Sequence, residues 1–319
     1  MNALQTTPPA WFTRAVSTPG ESRFVEVEGC AIHYLSWGEA TKPCLLFVPP
    51  SGGHAHWFDH VAPLFADQFH VVAMDPAGCG DSGRRGAYTS ELITAEIAGV
   101  LADADLRAAE APPTLVGHSA GAQFAVRAAL AHGEKLLGVI AVDGLRYARL
   151  EKDHAIKVLE GPRPAPRPPR LHQSLEEAVG RFRLRPAPLA EIDADHVIAH
   201  IARHSFRRVE GGWVSKHDAA QAVPITLAFE LLGALKDLRC RAASLYGEHS
   251  HLAEETAPSA VAAATEGKVT AFHIPGTTHY PMIDSPFAFV AAVKGVALTW
   301  IAALDNCHPE SRGAAVREP

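Results

Sequence analysis

Short apolar runs alternate with longer amphipathic runs over the first 145 residues of the chain. The runs Cys44–Val48 and 136–142 are continuous and of strand length, which is typical of parallel strands buried on both faces. Residues 92–104 place apolar side chains at helical spacing. This order predicts a mostly parallel sheet with helices on both faces. Further predicted elements are a hairpin at 24–28 and 31–37, a helix at 58–66 and a strand at 69–74.

The alternation stops at residue 146 and resumes near residue 238. The stretch between them is rich in arginine and proline, and its proline run at 161–170 must be extended, because proline fixes φ and lacks an N–H. Helical patterns inside the stretch predict helices at 174–182, 192–204 and 219–235. This stretch is therefore interpreted as a helical cap inserted after the sixth strand.

The domain plan follows from this interruption. We predict a core domain made of residues 1–145 and 238–304, a cap at 146–237 and a flexible tail at 305–319. In the second core segment the predicted strands are 242–246 and 269–274, and the predicted helices are 254–264 and 286–304.

Composition and charge narrow the class of protein. The chain has 319 residues, 47% of them hydrophobic, which is enough to bury one large core. A net charge of -6 argues against a nucleic-acid partner. No uninterrupted apolar run approaches about 18 residues, and no basic, apolar leader opens the chain, so neither a membrane span nor a signal peptide is predicted. The odd number of scattered cysteines favours reduced thiols in a cytoplasmic protein: Cys30, Cys44, Cys79, Cys240 and Cys307.

The most informative motif is Gly-His-Ser-Ala-Gly at 117–121. It follows a strand-type run, Thr114 to Val116, and precedes a helix-forming run at 122–130. A sharp turn between strand and helix holds a serine in strained backbone space and needs small residues on either side of it. The alternative is a glycine-rich loop with an idle serine. The strand and helix around the motif favour a nucleophile at Ser119.

Two further motifs, taken with residues 117–121, resemble those of a known family. Residues 74–83 read Met-Asp-Pro-Ala-Gly-Cys-Gly-Asp-Ser-Gly, and residues 276–281 read Gly-Thr-Thr-His-Tyr-Pro. Together with 117–121 they resemble, in the same chain order, the motifs of α/β-hydrolase-fold enzymes with an inserted cap. The resemblance covers about residues 23–304 and implies that fold. It also implies a structural role for Asp75 and Ser82.

A serine nucleophile requires a base to take its proton. The resemblance assigns this role to His279, in the loop after the last predicted strand. His54, His56 and His60, which are separated by even numbers of residues, could suggest a metal. They lie, however, in a stretch similar to the family's glycine-rich loop after the third strand, so we expect no metal there and no cofactor.

The carboxylate that would orient His279 departs from the family pattern. The loop after the seventh strand reads Gly247-Glu248-His249-Ser250, with serine at the family's aspartate position. Two candidates remain open: Asp143, which ends the sixth strand, and Glu248, which lies two positions early. We favour Asp143, because some members of the fold place their acid there.

The oxyanion hole needs two backbone N–H groups. The resemblance implies Ala120, after the nucleophile, and Ser51, since Pro49 and Pro50 have no N–H. Candidate pocket residues are Gly52, Trp57, His118, Tyr147 and Trp213; each could instead be a packing residue. Six cap arginines could bind an anionic acyl group, although a solvated face is the commoner role: Arg181, Arg183, Arg185, Arg203, Arg207 and Arg208.

The favoured function is hydrolysis of a small carboxylic ester or lactone by an acyl-enzyme route, by a monomer or a homodimer. One alternative on the same fold is carbon–carbon bond hydrolysis or cofactor-free lyase or oxygenase chemistry. Another is a non-catalytic ligand receptor, which the altered acid loop would fit. Dehalogenase and epoxide hydrolase chemistry are disfavoured, because those enzymes attack with aspartate where this chain has Ser119.

Overall fold

A computed structural model describes residues 7–104, 109, 111–145, 168–188, 194–221, 234–252 and 258–307. In these residues the main sheet has eight strands in the spatial order β1-β2-β4-β3-β5-β6-β9-β10. The pairs β1–β2 and β2–β4 are antiparallel and the others are parallel, so the predicted mostly parallel sheet is confirmed. The strands are Glu21–Val27 (β1), Cys30–Trp37 (β2), Cys44–Val48 (β3), His70–Met74 (β4), Thr114–His118 (β5), Gly138–Val142 (β6), Arg241–Gly247 (β9) and Thr270–Ile274 (β10).

Two of the described helices, Ala10–Val16 and Pro281–Asp284, were not predicted, and the other six correspond to predicted helices. Their bounds differ from the predicted ones by a few residues, and Thr89 caps the second helix by accepting a hydrogen bond from the Leu92 N–H. The described helices are Ala10–Val16 (α1), Ser90–Asp103 (α2), Ala120–His132 (α3), Leu175–Arg181 (α4), Asp195–His204 (α5), Pro258–Ala264 (α6), Pro281–Asp284 (α7) and Pro286–Cys307 (α8).

The sheet separates two apolar cores. Successive residues of β3 point to opposite faces, so Leu46 and Val48 pack with α2 and α3, whereas Leu45 and Phe47 pack with α8. β6 divides its side chains in the same way. Both faces of these strands are therefore buried, which explains why their sequences are continuous apolar runs and confirms helices on both faces.

One predicted helix is wrong. Residues 58–66 form no α-helix but belong to a loop with two short 3₁₀ turns, Ala55–Trp57 and Ala62–Leu64. Pro63 has no N–H for an α-helical hydrogen bond within this stretch. The apolar residues of the failed prediction, Phe58, Val61 and Phe65, are nevertheless buried. Their spacing reflects burial against the sheet, although the same spacing is typical of one face of a helix.

The insertion between β6 and β9 contains more than helices. After α4 and α5 it forms a two-stranded hairpin, Phe206–Val209 (β7) and Gly212–Ser215 (β8). The predicted helical cap did not include this hairpin, in which Gly211, at φ 80°, supplies the turn that joins the two strands. The predicted helix at 219–235 lies largely outside the described residues, as does most of the proline run. The division into core and cap stays a prediction.

The insertion contacts the loops at the carboxyl ends of β3 and β4. The Asp218 N–H donates to the carbonyl of Gly78 at 2.7 Å, and Lys216 donates to Asp81 at 2.8 Å. Ser205 and His54 are hydrogen-bonded at 2.8 Å. The described part of the insertion therefore lies over the edge of the sheet where ligands bind in open α/β folds.

Helix α8 is apolar over most of its length. Its segment Pro286–Leu304 is long and apolar enough to cross a membrane by length and composition alone. Lys294 interrupts the segment, which is why a search for uninterrupted apolar runs does not detect it. Phe289, Val293 and Ala297 form one face of the helix and are fully buried against the sheet.

Candidate active site

Ser119 lies on the sharp turn between β5 and α3. Its backbone has φ 54° and ψ -120°, a conformation that non-glycine residues rarely adopt. A Cβ on Gly117 would collide with the backbone of Gly121 and Ala122, and one on Gly121 would collide with the carbonyls of Val48 and Pro49. Small residues at both positions thus let strand, turn and helix cross closely. The Ser119 N–H donates to the carbonyl of Val142 at 2.9 Å, which ties the turn to β6.

The structure brings Ser119, His279 and Asp143 together. Ser119 Oγ lies 3.0 Å from His279 Nε2, and His279 Nδ1 lies 2.7 Å from Asp143 Oδ1. A carboxylate accepts, so Nδ1 carries the proton of the neutral ring and Nε2 presents its lone pair to the serine hydroxyl. This relay can move a proton from the hydroxyl to the imidazole.

Asp143 is fully buried at the end of β6, with φ 45°. Besides His279, its carboxylate accepts hydrogen bonds from the Gly247 N–H at 2.7 Å and from Ser250 Oγ at 2.5 Å. Three donors surround one carboxylate, which is how a buried negative charge is stabilised without a cationic partner.

Glu248, the other candidate acid, does not reach this relay. Its carboxylate is half-exposed and accepts from the Gly276 N–H at 2.8 Å. Ser250, which occupies the position where the family has aspartate, instead donates to Asp143. Sequence reasoning noted the serine as a loss but missed its contact, because the partner is 107 residues away.

His118 was predicted as a pocket residue, but only 1% of it is exposed. Its Nε2 lies 2.8 Å from the backbone carbonyl of His279, so Nε2 carries the proton and donates. Burial, followed by the charge on His279, lowers the pKa of His118 to about 3, so the ring is neutral at pH 7. His118 thus holds the backbone of the relay histidine and does not line an open pocket.

The predicted oxyanion donors lie on two neighbouring segments. Ala120 is the first residue of α3, where a backbone N–H has no acceptor within the helix. Ser51 is exposed in the turn closed by the Gly53 N–H and the carbonyl of Pro50 at 2.8 Å. The close approach of Val48 and Pro49 to Gly121 places this turn beside the start of α3. Their role as donors stays a prediction.

The remaining predicted pocket residues are dispersed. Gly52, at φ 68°, lies under the ring of His217, a residue of the insertion that sequence reasoning did not single out. The Trp57 ring lies 6.3 Å from that of His118 and 6.2 Å from that of Tyr280. Trp213 lies in β8 and exchanges backbone hydrogen bonds with His172. Tyr147 lies outside the described residues.

The cap arginines lie on the surface. All six are exposed, and Arg181 pairs with Glu177 at 3.1 Å along α4. The two members on the hairpin, Arg207 and Arg208, are likewise solvated. This exposure matches the solvated-face interpretation better than a grip on an anionic substrate.

Comparisons with known proteins agree with this architecture. The chain is 28% identical over 130 residues to an uncharacterized hydrolase, YugF, of Bacillus subtilis (strain 168); that match covers 40% of this chain and 45% of YugF, so it spans under half of the relative. The thioesterase domain from the curacin biosynthetic pathway superposes with a TM-score of 0.68 at 21% identity, over 88% of this chain and 99% of that one. A putative aryl esterase from Burkholderia cenocepacia superposes with a TM-score of 0.64 at 14% identity, over 88% and 100%.

A family model describes the greater part of the chain. The model of the alpha/beta hydrolase family matches residues 45–293, which include all of β3 but its first residue, the turn at Ser119, the insertion and the loop of His279. The chain therefore belongs to the alpha/beta hydrolase family.

Proposed function

We propose that this protein hydrolyses a small carboxylic ester or lactone through an acyl-enzyme. The observation that carries the proposal is the relay from Ser119 through His279 to buried Asp143, with hydrogen bonds of 3.0 and 2.7 Å. Nucleophile, base and orienting acid occur in this arrangement in serine hydrolases of unrelated folds.

In the proposed reaction, Ser119 Oγ attacks the carbonyl carbon while its proton moves to His279 Nε2. The ring then carries two N–H groups and a positive charge, which the Asp143 carboxylate stabilises. The negative charge on the former carbonyl oxygen is received by the N–H groups of Ser51 and Ala120. Collapse of this intermediate expels the alcohol, which takes the proton from His279 Nε2, and water repeats the sequence to release the acid.

Several features of the site support a small neutral substrate. The described part of the insertion lies over the carboxyl ends of β3 and β4, with His217 above Gly52. Burial lowers the pKa of His217, so this ring is neutral at pH 7. The structural neighbours named as a thioesterase domain and an aryl esterase support acyl transfer to water as the reaction class.

A second candidate is cofactor-free chemistry, such as carbon–carbon bond cleavage or oxygenation, with the same serine and histidine. The observation that favours it is the position of the acid after β6 instead of after β9, since cofactor-free oxygenases of this fold place their acid there. In that chemistry Ser119 and His279 act as acid and base.

The test is covalent labelling combined with turnover. We expect a fluorophosphonate probe to label the wild type and to leave Ser119→Ala unlabelled, and we expect hydrolysis of short-chain nitrophenyl esters to fall to background in the same variant. Ser259→Ala, at an exposed position of α6, is the matched control and should behave as the wild type. Equal labelling of Ser119→Ala and the wild type would rule out Ser119 as the nucleophile. Retained nitrophenyl ester turnover in Ser119→Ala would rule out the acyl-enzyme route.

A further inference from the structure

A cluster of titratable side chains joins the core to the insertion, away from the relay. It consists of His56 and Asp59, in the loop after β3, and of His200 and His204, on α5. His200 and His204 are four residues apart and so project from the same face of the helix. We call these four residues the interface cluster.

The geometry of the cluster is compact. His56 Nδ1 and His200 Nε2 each lie 2.8 Å from Asp59 Oδ2, one from the core and one from α5. The rings of His56 and His204 are stacked with centroids 3.8 Å apart, and those of His200 and His204 are 4.8 Å apart. The side chains of His56, Asp59 and His200 are less than one-fifth exposed.

His204 is the unusual member. Among the described residues neither of its ring nitrogens has a hydrogen-bond partner, although the ring is largely removed from solvent. In its neutral form the His204 ring has a nitrogen lone pair, and it lies beside the carboxylate of Asp59 and the imidazole of His56. These three side chains together offer ligand atoms for a metal ion.

We propose that His56, Asp59 and His204 bind a divalent transition-metal ion of the Zn²⁺ type. One ligand atom from each residue lies within 4.8 Å of the other two. Two ligands at about 2.1 Å from one ion are at most about 4.2 Å apart, and about 3.4 Å apart in a tetrahedron, so the separations of up to 4.8 Å must shorten by at most about 1.4 Å. Rotation of the unbonded His204 ring out of its stack with His56 supplies this movement.

The donor set selects the class of ion. Two imidazoles and one carboxylate suit Zn²⁺ and its neighbours in the transition series better than Ca²⁺ or Mg²⁺, which prefer oxygen ligands. Three protein ligands leave a fourth position for water. The His200 N–H, already donated to Asp59, would orient the ligating carboxylate.

A second cluster of histidine and carboxylate side chains, His33, Asp75 and Asp81, is not proposed as a metal site. The Asp75 carboxylate already accepts from His33 Nδ1 at 2.8 Å and from the N–H groups of Ala55 and Asp81 at 2.6 and 2.7 Å. These three donors already occupy the oxygens of the Asp75 carboxylate, which holds the surrounding segments together. The three histidines His54, His56 and His60 also do not form one site, because His54 is hydrogen-bonded to Ser205 and His60 to the carbonyl of Met282.

An ion at this site would connect the insertion to the core. His56 and Asp59 belong to the loop that carries Trp57, whose ring packs near His118 and Tyr280, and α5 is the only other element of the site. Such a connection stabilises the folded chain against unfolding by an amount that grows with the logarithm of the ratio of free metal to its dissociation constant. The site is independent of the ester chemistry proposed above.

The test is Zn²⁺ binding to the untagged, metal-stripped protein, measured by isothermal titration calorimetry, with the visible spectrum of bound Co²⁺ reporting coordination number. We expect one ion per chain and a rise in Tm on metal addition. His204→Ala and His56→Ala should each raise the Kd at least about 100-fold. The matched control is His249→Ala, which removes a half-exposed histidine 3.8 Å from Glu248 that could bind metal adventitiously; its Kd should equal that of the wild type.

Asp59→Asn keeps a hydrogen-bond acceptor for His200 but removes the ligating charge, so it tests the site if an alanine variant fails to fold. Circular dichroism without metal verifies the fold of each variant. Absence of saturable binding up to millimolar Zn²⁺ would overturn the proposal. So would unchanged binding in folded His204→Ala or Asp59→Asn, or loss of binding in His249→Ala.

Discussion

Replacement of Asp143 by asparagine tests how the buried acid orients His279. The three groups that face the carboxylate, the Gly247 N–H, the Ser250 hydroxyl and His279 Nδ1–H, all donate to it. Asparagine has the same shape but one acceptor oxygen, so its NH₂ group must point either toward the Gly247 N–H or toward Ser250 and His279, which share Oδ1. The Ser250 hydroxyl can rotate to accept, and the imidazole can change tautomer, whereas the backbone N–H can do neither.

The magnitude follows from the tautomer. If the amide NH₂ faces His279, then Nδ1 must accept, the proton moves to Nε2, and the lone pair that takes the Ser119 proton is lost. The same substitution in a serine protease triad lowers kcat by about 10⁴-fold, or about 5.5 kcal/mol. Here the Gly247 N–H cannot accept, so the NH₂ group takes the position that faces both Ser250 and His279, and we expect a loss of about 10³-fold or more.

Loss of the charge also affects stability. Hydrogen bonds to a buried charge contribute about 1.5–3 kcal/mol each, and the variant replaces three of them by neutral ones or loses them. We therefore expect Asp143→Asn to unfold a few degrees lower than the wild type while keeping its circular dichroism spectrum.

The assay is kcat/KM on a nitrophenyl ester, measured beside two controls. Glu248→Gln alters the half-exposed carboxylate of the same region and should change kcat/KM by less than about threefold. Ser250→Ala removes one donor without imposing a new tautomer, so its kcat/KM should lie between those of Glu248→Gln and Asp143→Asn. A larger loss in Glu248→Gln than in folded Asp143→Asn would refute this assignment of the acid. Small losses in both would indicate a serine–histidine dyad.

Two further predictions concern stability. Burial lowers the pKa values of four histidines from 6.5 to about 3 or 4: His54, His60, His118 and His204. Between pH 4 and 6.5 these rings therefore stay neutral in the folded state, whereas in the unfolded chain they bind protons. Their contribution is complete above about pH 6.5 and is lost as the pH falls toward 4, so Tm at pH 5 should be clearly below Tm at pH 7, and equal values would contradict their burial. Gly121→Ala should cost several kcal/mol in denaturant unfolding, because its Cβ meets the carbonyls of Val48 and Pro49. Gly295→Ala, which meets open space in α8, should instead be neutral or stabilising by up to about 1 kcal/mol, and equal effects of the two changes would refute the packing of the turn.

The sequence by itself determined the features that depend on local rules. Continuous apolar runs marked β3 and β6, because a strand buried on both faces has no polar side. The small residues around Ser119 marked the turn, because larger side chains would collide where strand and helix cross. His279 was identified through its motif and its place after the last strand, both of which can be read along the chain.

Periodicity alone misled at residues 58–66. A loop packed against a sheet buries Phe58, Val61 and Phe65 at spacings that resemble a helix, since burial and not hydrogen bonding sets the pattern. The hairpin β7–β8 was missed for a related reason. Its strands have four residues each, which is too short for alternation to stand out within a charged stretch.

Only the tertiary structure decided which groups meet. Asp143 and His279 are 136 residues apart, and Ser250 lies 107 residues from the carboxylate it contacts. Their meeting depends on the pairing of β6 with β9, which sets Val142 beside Leu245 and brings both strand ends to one edge of the sheet. The sequence could present Asp143 and Glu248 as alternatives, but each is simply a carboxylate after an apolar strand. The direction of each side chain, set by strand register and by the backbone at residue 143, placed one against the imidazole and left the other half-exposed.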